Sequence, residues 1–168
     1  MLMKKLMVLV GSVLLFSFAA SAQKTPTFAQ YRVKVERKKS VTVDLASHKR
    51  AKTFRTNLKN AAKEPVNFAG HYILTNWGCG TNCSMAGIID ARTGRVYFPA
   101  QLEGYGYALQ DWEGTDEPLE YEANSKLLVL RGYTGGELNK DKPSGGIHYF
   151  EWNGSTLRRV KFIRKSSN

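Results

Sequence analysis

The chain has 168 residues, 42% hydrophobic and 23% charged, with no internal repeat and no low-complexity linker. That length and composition suit one domain with a real core and exclude a solenoid. Lys and Arg number 25 against 14 Asp and Glu, a formal charge of +11 that fits an anionic partner without naming one.

The first 22 residues have the three parts of an export signal. Lys4 and Lys5 form a positive start, Leu6 to Ala20 is apolar apart from Ser12 and Ser17, and Ala20-Ser21-Ala22 supplies small residues before a cleavage site. The apolar run is shorter than the about 20 residues a bilayer span needs. We therefore expect residues 23–168 to form a single mature globular domain, periplasmic or secreted and without stable membrane insertion.

Tyr31 to Glu36 alternates apolar and polar with period two, as a half-buried strand does. Ser40 to Asp44 is a second short β-like run, and the two can form a hairpin around Arg37-Lys38-Lys39. Ser47 is a good helix N-cap, and Ala51, Phe54, Leu58, Ala61 and Ala62 then make one apolar stripe up to Lys63. Pro65 ends that amphipathic helix, whose stripe is read as docking on a sheet.

From residue 66 the pattern is β. Strands are expected over 70–77, 85–90, 95–98, 120–122, 126–131, 146–152 and 157–163, with long loops over 100–117 and 132–145. Asn153-Gly154 between the last two strands signals a tight two-residue hairpin. The sum is an α+β fold: an antiparallel β-meander sheet with one N-terminal amphipathic helix.

Residues 77–83 read Trp-Gly-Cys-Gly-Thr-Asn-Cys and hold both cysteines of the chain. A Cys79–Cys83 disulfide needs Cα atoms about 4.4–6.8 Å apart. Four residues of extended strand would span about 13 Å, so the segment must turn back on itself. Gly78, Gly80 and Asn82 tolerate the positive φ of such a turn. A structural disulfide is the leading reading for an even pair in an exported chain. Three others stay open. The pair can be redox-active, although its spacing is Cys-x3-Cys and no thioredoxin-like pattern surrounds it. It can bind Cu(I) or zinc with His71 and Met85. It can supply the nucleophile of a cysteine-dependent hydrolase of the envelope, with His71 or His148 as base.

No cofactor is expected, and no Gly-x-Ser-x-Gly, His-Glu-x-x-His, Walker loop or Gly-x-Gly-x-x-Gly pattern occurs. Asp111, Glu113, Asp116 and Glu117 read as a solvated acidic loop, since their spacing does not match a calcium loop. Trp77, Tyr105, Tyr107, Trp112 and Tyr133 fall in or beside loops, where aromatic residues can form a binding surface.

Charge is unevenly distributed. Residues 24–63 carry twelve Lys and Arg against Glu36 and Asp44, and Arg158 onward adds five more. Between Glu103 and Glu122 lie seven acids and no Lys or Arg. A basic face and an acidic face, pairing in part, are the simplest reading. The expected partner is an envelope or extracellular component, anionic if it meets the basic face, and not nucleic acid.

The run Asn67-Phe68-Ala69-Gly70-His71-Tyr72, then Trp77-Gly78-Cys79-Gly80 with Cys83, then Asp90 with Thr93-Gly94 and Val96, resembles a family of small exported bacterial proteins of uncharacterised function. The likeness covers residues 44–98 and fades beyond them. It implies an envelope or secreted setting and transfers no catalytic residue.

Overall fold

The computed structural model describes residues 24–37, 40–106, 117–137, 140–141 and 144–165. The expected export signal over residues 1–22 lies outside them, as do Tyr107 and Trp112.

Among the described residues, eight strands form two antiparallel four-stranded sheets. The first contains β1 (Tyr72–Gly80), β2 (Cys83–Asp90), β3 (Val96–Tyr97) and β4 (Glu103–Tyr105). β1 covers one side of β2 from Tyr72↔Asp90 to Gly80↔Cys83. β3 and β4 share the other side, β3 opposite Ile88 and Ile89 and β4 opposite Ser84 and Met85. They are one edge interrupted by a 3-10 turn over Ala100–Leu102, which follows Pro99. The second sheet is a meander in chain order: β5 (Leu119–Tyr121), β6 (Leu127–Gly132), β7 (Gly146–Trp152) and β8 (Leu157–Arg164). Instead of one meander sheet there are thus two sheets. β4 arises inside a segment read as loop because three residues carry too little periodicity to show.

Alternation along each strand sorts side chains onto three cores. Tyr72, Leu74, Ala86 and Ile88 of the first sheet meet Leu128, Leu130, Phe150 and Trp152 of the second. Trp152 is 1% exposed and sits within 5.3–6.3 Å of the Phe68, Tyr72 and Tyr97 rings. The opposite face of the first sheet carries Ile73, Ile89, Val96 and Phe98 against Ala51, Leu58, Ala61 and Ala62. The opposite face of the second carries Leu127, Val129 and Tyr149, partly covered by Phe28 and Tyr31. Each such buried aliphatic or aromatic side chain contributes about 1.5–3 kcal/mol.

The α-helix is shorter than its apolar stripe suggests. α1 runs Arg55–Ala61, and residues 45–54 are turns. Ser47 does not cap it. Its hydroxyl donates to the Asp44 carbonyl and accepts the Val96 N–H at 2.9 Å, tying this stretch to β3. Arg50 stacks on Phe54 and Phe98 and pairs with Glu103 at 2.7 Å. Tertiary partners here outcompete the helical ladder, whose intrinsic preference is weak.

The expected hairpin over 31–36 and 40–44 does not form. Each extended piece bonds elsewhere: Val33 N–H to the Asn124 carbonyl, Glu36 N–H to Gly70, Val41 N–H to Ala62, and Asp44 N–H to Gly94. Gly94 has φ 79°, and a Cβ there would lie 2.0 Å from the Thr42 carbonyl oxygen, so this contact requires glycine.

Candidate functional site

The β1–β2 hairpin leaves the core before it turns. Tyr72, Ile73 and Leu74 are buried, as are Ala86 to Asp90, whereas Gly78 to Asn82 are exposed. Beyond the Trp77↔Met85 rung no apolar packing continues to the tip. Cys79 and Cys83 are joined, with Cα atoms 5.1 Å apart and no free cysteine in the chain. The turn needs a β-bulge between Gly78 and Gly80 and positive φ at Gly80 (142°) and Asn82 (53°). Those are the residue types that accept it.

The sequence-derived site residues do not gather around the disulfide. His71 precedes β1, and the eight-residue step from it to Cys79 spans about 26 Å at strand rise. His71 lies on the Tyr72 ring at 4.2 Å, its pKa held below the ordinary value chiefly by burial and then by Arg92. Met85 faces the α1 side, its sulfur 3.7 Å from an Arg50 guanidinium nitrogen. His148 is in the other sheet, 2% exposed between the Phe150 and Phe162 rings, with Nε2 3.2 Å from the Gly132 carbonyl oxygen. Burial lowers its pKa. Among the described residues no group of three or more His, Cys, Asp or Glu is arranged to hold a metal.

The aromatic residues also part company. Trp77 packs against Phe54 and Phe98 on the helix side. Tyr105 is fully buried on the opposite side of the sheet, its hydroxyl accepting from Asn76 Nδ2 at 3.3 Å. Tyr133 is half-buried where it bridges to Gly106. Of the five, then, Trp77 and Tyr105 serve two different cores.

Charge is partly neutralised within the molecule. Arg50 of the first basic stretch pairs with Glu103 at the start of the acidic run and Arg158 with Glu151, whereas Arg92 pairs with Glu36, an acid inside the first basic stretch. Arg131 pairs with Glu120 across β5 and β6.

Two hollows flank the free edge of β1. On the side of the second sheet, a cleft of about 600 Å³ is lined by Asn76, Leu119, Tyr121, Glu117, Glu120, Glu122 and Phe28. On the helix side, a hollow of about 350 Å³ is lined by Thr75, Thr56, Asn57, Asn60, Ala61 and Glu64. Sequence reading missed both, because each is assembled from separate segments of the chain, Glu64 and Thr75 in one and Phe28, Asn76 and Glu117 in the other. The one available signal was Asn76, an exposed polar residue in alternation with Tyr72 and Leu74 on β1.

Comparison with known protein families, with curated proteins and with solved structures finds no match for this chain. Function has to be read from geometry.

Proposed function

We propose that this protein is a small exported binding module, without catalysis of its own, that presents the Cys79–Cys83 stapled tip to a component of the cell envelope or the extracellular medium. One observation carries this reading: Gly78 to Asn82 are exposed, outside any core, and yet covalently held in one turn. A loop ordered in advance avoids about 0.5–1.5 kcal/mol of ordering cost per side chain when it binds. The disulfide also suits an oxidising compartment, and no described helix is long and apolar enough to cross a membrane. A Cu(I) protein or a cysteine hydrolase would need a free sulfur, and a thiol-redox protein a disulfide that opens and closes in turnover.

The test places a photo-crosslinking residue at Thr81, on the tip, and as a control at Ser155, on the exposed turn between β7 and β8. Cells expressing the protein should yield a discrete adduct from Thr81 alone. Equal adducts from both positions, or none from either, would overturn the reading. So would two titratable thiols in the native protein.

A further inference from the structure

Free sheet edges invite another strand, and β1 shows how far its edge is closed. On the side away from β2, Tyr72 exchanges backbone hydrogen bonds with Phe68, 2.9 and 3.0 Å long. Two residues on, the Asn67 side chain does the same job: its Nδ2 donates to the Leu74 carbonyl at 2.9 Å and its Oδ1 accepts the Leu74 N–H at 2.7 Å. An amide side chain stands in there for the peptide group of a neighbouring strand. Backbone groups on one side of a strand recur every second residue. The next outward positions are therefore Asn76 and Gly78, and no described group bonds their backbone on that side.

The same stretch of chain closes one end of the cleft between the sheets. Ala69 N–H reaches the Glu122 and Ser125 carbonyls, and Gly70 N–H the Ala123 carbonyl, just past β5. Phe68 thus makes a single antiparallel bridge to Tyr72, and the turn at Ala69 and Gly70 that leads into β1 touches the chain after β5. Beyond them the edges of β1 and β5 face one another across the 600 Å³ cleft, unfilled by any described residue.

A strand added at Asn76 would send alternate side chains to opposite faces. One set would enter the cleft beside Glu117 and Glu122, the other the hollow beside Asn57, Asn60 and Glu64. Glu64, Glu117 and Glu122 make no ion pair among the described residues, while Glu120 is already engaged by Arg131. Carboxylates on both faces of one open edge suit a positively charged occupant. We propose that an extended, cationic peptide segment of a partner docks by strand addition to the open edge of β1 at Asn76 and Gly78, with basic side chains placed between Glu117 and Glu122 on one face and Glu64 on the other. This surface meets the hairpin tip at Gly78 and does not depend on the tip's role.

The probe is a fluorescent peptide of repeated Lys-Lys-Val-Val, which in an extended strand sends lysines to both faces, about as long as the nine residues of β1, followed by anisotropy with the purified protein. Binding is expected for this peptide and not for its Glu–Val counterpart. N-methylation of alternate peptide nitrogens, which keeps charge but removes the bonding N–H groups, should abolish it. Glu117→Lys with Glu122→Lys should weaken it by at least about tenfold, from two lost ion pairs and the added repulsion. Asn76→Pro removes an outward N–H that no described group uses and should also block docking, with circular dichroism checking the fold. The proposal fails if no Lys–Val peptide binds, if the N-methylated peptide binds equally well, or if charge reversal changes nothing. It fails too if sedimentation shows a self-associated protein that the peptide does not dissociate, since a second copy would then own the edge.

Discussion

The hairpins β1–β2 and β7–β8 reverse the chain by different means. At β7–β8 the core continues to the last rung: Trp152 faces Leu157, 1% and 4% exposed. Polar bonds then hold the turn, with Asn153 Oδ1 accepting from Ser155 N–H and Thr156 N–H and Asn153 Nδ2 donating to Thr156 Oγ1. At β1–β2 the core ends several residues early, and nothing apolar fixes the tip. The disulfide supplies there the constraint that packing supplies elsewhere. Closing so short a loop contributes only about 2 kcal/mol in the chain-entropy account, too little to be the main support of the fold. A staple placed where it adds little stability but fixes an exposed shape is better explained by recognition than by folding.

Substitutions can break this contrast from either side. The largest effect is expected from Trp152→Ala, which empties the aromatic cluster under the β7–β8 turn. It should cost about 3–5 kcal/mol in urea unfolding. Cys79→Ser with Cys83→Ser should cost no more than about 2 kcal/mol and leave the far-ultraviolet circular dichroism unchanged. A larger loss would make the staple part of the fold's support. Asn153→Ala removes the polar bonds of the packed turn and should cost about 1 kcal/mol by the same unfolding measurement.

The smallest effect is that of pH. Burial holds the His148 pKa below its ordinary value, so the unfolded chain binds the proton more readily. Stability from this source is complete above the ordinary histidine pKa and declines as pH falls through it toward the folded value. Thermal unfolding at pH 7 and pH 5 should show lower stability at pH 5. His148→Phe should reduce that difference without removing it, because His71 is shifted in the same direction.

Much of the β architecture was legible in the sequence. The runs read as strands over 146–152 and 157–163 match β7 and β8 closely, because alternation and β-branched or aromatic residues coincide there. The tight turn between them was legible too, although Asn153 caps it from one residue before its centre at Gly154 and Ser155. The staple was legible because two cysteines and turn-tolerant residues coincided, of which Gly80 and Asn82 take positive φ and Gly78 does not. What could not be read was set by distant partners. The Ser47 hydroxyl turned toward Val96, and the Arg50 guanidinium toward Glu103, which shortened a helix that local periodicity extended. Residues 31–36 have strand periodicity, yet they bond to the Gly70 and Asn124 segments rather than to 40–44. The cleft beside β1 arises only when two sheet edges meet, and no stretch of sequence announces that.

Amide hydrogen exchange of the oxidised and the reduced protein compares the two hairpins in one measurement. With no other cysteine in the chain, reduction touches only the tip. Faster exchange confined to residues 77–84, with β6, β7 and β8 as protected as before, is the predicted result. Loss of protection across Leu128, Leu130, Phe150 and Trp152 would contradict it and make the disulfide a support of the whole fold.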